Sequence, residues 1–352
     1  MHKHSLIMEN EIKYISKVEI QGLWGSIDLN WDLNKDVNIL SGINGSGKST
    51  ILDCICGIIV QGEIHYFIKN KVSSIKIIFN DEQFLSFSSQ QVNESFKNLE
   101  IKAKHHETYK NILNDLKENH PSDFNKIKNI SFQIGSTSFD NMNLSLSELN
   151  KKIRIDIIST FDNSIKEIES VKKLTSENVK TELDWELFNL QKEYLDYQLN
   201  IGKKAFEALS NSKTDSSNNE ILKIKQSQER FLEIIDGLFN QTGKKINRVS
   251  NEISFLLGEI EINLNELSSG EKQLLLILLT VLVQDGRNSI MFMDEPEISL
   301  HFDWQKDLIN YIRELNPNCQ LIIATHSPAL IMNGWLNNVS DVRDLVVQNH
   351  KN

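Results

Sequence analysis

Proline, cysteine and long apolar runs are all scarce in this chain, whose 352 residues include only 4 Pro and 3 Cys. Cys54, Cys56 and Cys319 form no paired C-x-x-C set. That argues against a zinc site or a disulfide framework and for reduced thiols in a cytoplasm. The opening MHKHSLIMENEIKY lacks the apolar stretch of a secretory signal. The longest apolar run, Leu274 to Val283, is about half of what spans a bilayer. It reads as a buried helix, and no membrane partner is expected. An excess of basic charge is missing too, since 38 Lys+Arg stand against 48 Asp+Glu, a net charge of −10. This argues against a surface that grips nucleic acid throughout, although it leaves room for a local basic groove on which DNA could lie. What is present, 39% apolar and 24% charged residues, is the composition of a folded globular chain and excludes wholesale disorder. The length allows one large domain or two modest ones, either with a substantial core.

Residues 12–60 read as strand, strand, loop, helix. Ile15–Ile20 and Ile27–Trp31 alternate apolar with polar, as half-buried strands do. Val37–Leu40 is a short apolar strand running into a glycine loop, and Thr50 to Val60 reads as a buried helix. In residues 64–135 more sheet is expected, with a helical excursion. Val72–Phe79 and Phe84–Ser88 flank a polar turn and predict a hairpin, and Ile127–Ile134 predicts another strand. Residues 147–240 lack proline and interleave Lys and Glu with Leu, Ile, Phe and Tyr, which predicts helix, with a polar loop at Asn211–Asn219. Within residues 151–210, 10 basic residues balance 11 acidic ones, the pattern of a solvated helical face. No heptad persists, so a long coiled coil is not expected. Residues 245–352 return to α/β. Strands are expected at Ile253–Leu257, Glu259–Leu264, Ser289–Met293 and Gln320–Ala324, the last two as central parallel strands, with an apolar helix at Gln273–Gln284. This lobe is acidic, with 6 basic against 14 acidic residues over 251–352.

The strongest chemical signal is Gly42-Ile43-Asn44-Gly45-Ser46-Gly47-Lys48-Ser49, which fits G-x-x-x-x-G-K-[ST] between an expected strand and an expected helix. Glycines let backbone N–H groups turn inward around a phosphate, and the helix N-terminus adds partial positive charge. Asn44, Gly45, Ser46 and Thr50 complete the turn. Lys48 would reach the β- and γ-phosphates of ATP, and the Ser49 hydroxyl would ligate Mg²⁺. A second signal is Ser289-Ile290-Met291-Phe292-Met293-Asp294-Glu295-Pro296, an apolar strand ending in two acids. Asp294 would hold the Mg²⁺ water shell, and Glu295 would orient and deprotonate the attacking water. A third is Leu267-Ser268-Ser269-Gly270-Glu271-Lys272-Gln273 at a helix start, where Ser268 or Ser269 can cap with Glu271 in the first turn. A fourth is Ala324-Thr325-His326-Ser327-Pro328 at a strand end, with His326 31 residues beyond Glu295.

Taken in chain order, with the Leu-Ser-x-Gly turn ahead of the two-acid strand, the motifs resemble those of ABC-type ATPases. The Leu-Ser-x-Gly turn is similar to their signature, which grips the γ-phosphate bound to a partner subunit, and Ser268 and Gly270 match the contacting positions. Ser269 stands where a second glycine is commonest. The resemblance places His326 at the γ-phosphate. Glu297-Ile298-Ser299-Leu300-His301 matches the dimer-contact loop, with His301 where transporter-type proteins carry Asp. D-E-P-E followed by S-L-H, together with T-H-S-P and the Gly22-Leu23-Trp24-Gly25 opening, resembles one branch. It contains soluble ATPases related to RecF, Rad50 and the overcoming-lysogenization-defect proteins, and the AAA_15- and AAA_21-type ATPase subunits of anti-phage systems such as PARIS, Septu and retron-associated ones. Rad50-like proteins carry a basic residue near the position of Trp24, which here either stacks on the base or simply packs. Gln133, with Gln90 or Gln91 as alternatives, is expected to end the glutamine loop.

The resemblance covers residues 12–60 and 250–335 and implies an α/β fold. That fold is an ABC-type P-loop head, a mixed sheet flanked by helices with N-terminal antiparallel strands, interrupted by a helical insertion. The expected division is an N-terminal lobe 1–135, an insertion 136–245 and a C-terminal lobe 246–352. Lys48 and Ser268 lie 220 residues apart, which leaves room for a short helical insertion but not for the long coiled coil of SMC or Rad50 proteins. The chain ends soon after His326, so a C-terminal nuclease domain is not expected. The resemblance therefore implies a homodimer or larger homo-oligomer that sandwiches ATP and acts on a separate effector such as a nuclease. Rival readings are a RecF-like clamp on DNA, the nucleotide-binding subunit of a transporter, and a scaffold that binds ATP without turning it over.

Overall fold

The computed structural model describes residues 11–61, 72–88, 146–158, 179–211 and 216–347. In chain order the elements are strands β1 (Ile15–Leu23), β2 (Ile27–Asp32) and β3 (Val37–Ser41), helix α1 (Lys48–Cys56), strands β4 (Ser74–Phe79) and β5 (Phe84–Ser88), helix α2 (Leu146–Lys152) and strand β6 (Arg154–Ile158). Helices α3 (Glu182–Asn211) and α4 (Ser216–Phe239) follow, then short strands β7 (Lys244–Ile246), β8 (Phe255–Leu257) and β9 (Ile260–Ile262) and helix α5 (Ser269–Val283). Strand β10 (Ser289–Asp294), helix α6 (Phe302–Leu315), strand β11 (Cys319–Ala324), helix α7 (Pro328–Met332), strand β12 (Val339–Asp341) and helix α8 (Val342–Leu345) complete the chain. Two compact units emerge. One holds the chain up to Ile157, Gln320–Ala324 and the part from Asn338; the other holds Ile158–Cys319 and Thr325–Asn337.

The first unit contains an antiparallel sheet of order β2-β1-β4-β5. Val18 faces Trp31 on one neighbour and Ile77 on the other, and Ile20 faces Leu29 and Ile75. These side chains are all buried, the face that period-two patterning builds. In the same unit β3 runs parallel between β11 and β12. Val37 to Leu40 are buried at every position, as both-face coverage of a parallel strand requires. A buried amide ties the two sheets together. The Gln320 side chain accepts from the Ile15 N–H and donates to the Ile15 and Asn34 carbonyls, each at 2.8 Å, which satisfies a polar group that would otherwise be costly to bury.

The second unit is built around α5, buried at every position from Glu271 to Val283. α3 and α4 are its long helices, and β7, β8 and β9 form a small antiparallel sheet. Phe239 stacks on Phe255 at 5.1 Å and on Trp304 at 6.0 Å. Lys272, on α5, meets Asp184, on α3, at 2.7 Å, a buried pair. The Asp184 carboxyl also accepts from the Lys180 and Thr181 N–H groups.

The structure corrects several sequence expectations. The stretch 147–240 is not helical throughout, because Arg154–Ile158 is a strand. Its β-branched Ile153-x-Ile155-x-Ile157-Ile158 pattern favours an extended chain over the helical composition around it. The loop at 211–219 is shorter than expected, since Ser216 to Asn219 already belong to α4. α1 starts at Lys48 rather than Thr50 and gives way at Gly57 to a wider turn reaching Gln61. α5 starts at Ser269, four residues before Gln273, because Ser268 caps it. Strand β7, not anticipated, pairs with β8. The expected strand Ile127–Ile134 and Gln133, Gln90 and Gln91 lie outside the described residues. Among the described residues no helix is long and apolar enough to cross a membrane.

Candidate functional site

In the first unit, strand β3 delivers the chain into the turn Gly42–Gly47 and directly onto α1. Gly47 occupies the N-cap position with φ 95°, a left-handed conformation that costs an L side chain about 1–2 kcal/mol. No side chain caps this helix and no acid sits in its first turn. A helix start with neither a capping side chain nor an acid is electrostatically suited to an anion. A side chain at position 47 would also collide with the Trp24 ring. Trp24 thus packs against the turn itself, itself at φ 50° and partly exposed. Gly45, at φ 81°, has nothing within 4 Å of where a Cβ would stand, so its outer side is open.

Lys48 is 4% exposed, and its Nζ donates to the Gly42 carbonyl at 3.3 Å. A buried ammonium folded back on the turn is near enough to meet an anionic acceptor there. The Ser46 hydroxyl is buried and makes no hydrogen bond, an unsatisfied polar group in the middle of the same turn. Asp341 lies near enough for Lys48 to help lower its carboxyl. Arg343 is the principal cause of that shift, and the carboxyl is held at about 2. Uncapped N–H groups, a folded-back lysine and an orphaned hydroxyl form a cradle that fits a polyphosphate.

In the second unit, Ser268 caps α5 in a reciprocal capping box. Its Oγ accepts from the Glu271 N–H at 3.3 Å, and the Glu271 carboxylate accepts from the Ser268 N–H at 2.9 Å. Burial works against ionising Glu271, but Lys244 at 2.7 Å, with Ser268 and Thr242 donating as well, outweighs it and lowers its pKa. Asp184 behaves the same way: burial opposes the charge, and Lys272 with two backbone N–H groups more than restores it. The signature turn is thus anchored by two ion pairs, Lys244–Glu271 and Asp184–Lys272. Gly270 leaves no room for a side chain, because a Cβ there would strike the Ser299 carbonyl.

Asp294 ends β10, and Glu295 follows at φ 48°. The His326 Nε2 lies 3.6 Å from Glu295 Oε1, both side chains about one-third exposed. Between them the chain forms a loop held by side chains. Glu297 Oε1 accepts from Thr325 Oγ1 at 2.6 Å, from the His326 N–H at 2.9 Å and from the Ser327 N–H at 3.1 Å. Gln305 donates to the Leu300 carbonyl at 3.0 Å and accepts from Ser327 Oγ at 2.6 Å.

A family model described as "AAA domain, putative AbiEii toxin, Type IV TA system" matches residues 37–333, which takes in every motif above. The chain belongs to this AAA family. Two curated relatives are similar to it. A "Retron Vc95 probable ATPase" from Vibrio cholerae serotype O1 biovar El Tor is 28% identical over 120 residues, covering 31% of this chain and 22% of that protein. The "Septu protein PtuA" of Bacillus thuringiensis is 23% identical over 333 residues, 92% of this chain and 74% of that one. Among solved structures, an SMC head bound to the C-winged helix domain of ScpA superposes with a TM-score of 0.46 at 14% identity over 91% of both chains. RecF bound to a nucleotide analogue superposes with 0.40 at 10% identity over 91% of this chain and 94% of that one.

Within this AAA chain the structure brings Gly42 to Thr50 into one turn and helix start, Glu295 against His326, and Gly270 against the loop that follows Glu295. Among the described residues no group of three or more His, Cys, Asp or Glu side chains is arranged to hold a metal. Ser49 and Asp294 each carry an oxygen of the kind that Mg²⁺ takes as a ligand. Sequence reasoning missed the side-chain work of Glu297 and Gln305. The second acid of D-E-P-E was its visible signal.

Proposed function

We propose that this protein binds and hydrolyses Mg·ATP, closes as a dimer around it, and through that closure regulates a separate effector, a nuclease, in prokaryotic anti-phage defence. The observation that carries the reading is the turn Gly42–Ser49. There an uncapped helix start, a buried Lys48 and the orphaned Ser46 hydroxyl converge, an arrangement that a phosphate chain would complete. Gly42, Asn44, Gly45, Ser46, Gly47, Lys48 and Thr50 would surround the phosphates. Mg²⁺, held through Ser49 and Asp294, would neutralise charge on the phosphate oxygens. Glu295 would take the proton of the attacking water, and His326 would hold that water and the γ-phosphate. Ser268 and Gly270 of a second subunit would complete the site. Ser268 is exposed at the start of α5, where a phosphate carried by the partner would approach it. The names of the retron and Septu relatives support the defence role, and the acidic composition favours a protein partner over a DNA-gripping clamp.

The test measures solution mass and ATP turnover for wild type and Glu295→Gln, with and without Mg·ATP, purified together with the products of adjacent genes. Wild type should hydrolyse ATP. Glu295→Gln should bind ATP, remain an assembled dimer or larger species, and turn over about a hundredfold or more slower, the usual contribution of a general base. A soluble neighbour that comes with the assembly is the effector. A protein that stays monomeric with ATP defeats the sandwich, and turnover that depends on added duplex DNA shifts the reading to a DNA clamp.

A further inference from the structure

One carboxylate gathers three hydrogen bonds from the loop that carries His326. Glu297 Oε1 takes three hydrogen bonds, from the Thr325 hydroxyl and from the backbone N–H groups of His326 and Ser327, at 2.6, 2.9 and 3.1 Å. Two of those donors are the peptide groups on either side of the His326 Cα. The Ser327 N–H also meets Thr325 Oγ1 at 2.8 Å, and the Ser327 hydroxyl donates to Gln305 Oε1. Gln305 in turn donates to the Leu300 carbonyl. Glu295 lies two residues upstream of Glu297, in the loop after β10, in a left-handed conformation that needs support from its surroundings. Glu297, with Gln305 beside it, thus joins the loop of His326 to the loop of Glu295, whose side chains lie 3.6 Å apart. The second oxygen of Glu297 is buried and unbonded. The packing therefore retains a carboxylate at a cost that an apolar side chain would avoid. Its three-donor oxygen accounts for the retention.

We infer that Glu297 is a positioning residue for ATP hydrolysis, acting through His326: it orients the imidazole towards Glu295 and touches neither nucleotide nor water. The inference rests on the proposed role of Glu295 and His326. Carboxylate hydrogen bonds to backbone N–H groups are among the stronger kind. Catalytic geometry is steep enough that a displacement of about 1 Å costs about a hundredfold in rate.

The experiment compares ATP turnover, and affinity for a non-hydrolysable ATP analogue, in wild type, Glu297→Ala, His326→Ala and the double variant, with Glu295→Gln as control. Glu297→Ala should lower kcat about tenfold to a hundredfold with KM and analogue affinity unchanged. In the His326→Ala background the same change should cost nothing further, because residues acting through one another are non-additive. Glu297→Gln, which keeps an accepting oxygen, should recover most of the rate. If Glu297→Ala does not fold, Gln305→Ala, which removes the second link to Ser327, carries the same cycle with His326→Ala. Full additivity with His326→Ala, or a loss confined to KM, overturns the positioning role while leaving the ATPase reading intact. Wild-type turnover by Glu295→Gln instead overturns the reading on which it rests.

Discussion

The turn Gly42–Gly47 and the loop Glu295–Leu300 both follow a buried strand and both depart from ordinary backbone geometry, yet they are held in opposite ways. The first uses glycine: Gly45 and Gly47 take positive φ without side-chain cost, and no side chain caps the helix that follows. The second places Glu295 at φ 48° and Ser299 at φ 69°, where L residues are strained. It compensates with Glu297, Gln305 and the close approach of Gly270 to the Ser299 carbonyl. A turn made permissive by its own residues keeps its shape with little outside help and can leave its N–H groups unspent. A loop made of ordinary residues keeps its shape only while distant contacts persist. It can therefore respond to what happens at those contacts, of which the signature helix α5 is one.

The largest expected effect separates ligand binding from folding in the glycine turn. Lys48→Ala should weaken ATP binding about a hundredfold or more, about 3 kcal/mol, while far-ultraviolet circular dichroism stays that of the wild type. Loss of the fold together with binding would show that the turn is not self-supporting. Next in size is Gly270→Ala, which drives a methyl group into the Ser299 carbonyl. Urea denaturation should show a loss of about 1–3 kcal/mol, and turnover should fall because the Glu295 loop moves. Unchanged stability and turnover would mean the loop does not lean on α5.

Acid should act on the contacts of α5. The folded Glu271 and Asp184 carboxyls lie below their ordinary values of 4.5 and 3.8. Their contribution is therefore fully present above those values and is lost as pH falls through the lower, folded ones. The urea midpoint, followed from about pH 7 to about pH 3, should decline once pH drops below 4.5. In Glu271→Gln that decline should shrink. An identical decline in the variant would assign acid lability to other groups. The smallest effect is expected for Ser299→Gly. Relief of about 1 kcal/mol of backbone strain is offset by a comparable gain in unfolded-chain freedom, so the urea midpoint should hardly move. A marked loss would mean that the Ser299 side chain, and not its backbone, matters to the loop.

Legibility followed the same division. Gly42 to Ser49 could be read in full because glycine, lysine and a hydroxyl are local causes of a local shape. β1, β2, β3 and the β4–β5 hairpin were also legible, since alternation between neighbours decides which face is buried. Ser268 was expected as a cap and is one. Arg154–Ile158 was hidden because five residues of strand inside a lysine- and glutamate-rich stretch do not alter its composition. Asp184–Lys272 was hidden because 88 residues separate the partners and charges of both signs abound nearby. Glu297 was visible as a residue but not as a clamp, since its three donors come from Thr325 to Ser327.

By itself, the sequence determined the order of the motifs, the glycine-rich character of the first turn and the apolar strands that lead to Asp294 and His326. These depend on the residue types and spacings along one short stretch at a time. Only the tertiary structure decided that His326 faces Glu295 at 3.6 Å, that Trp24 lies on Gly47, and that Gly270 leans on Ser299. Each of those joins segments that the chain separates by 23 residues or more, and their meeting depends on the packing of the helices and strands between them, which no local pattern encodes.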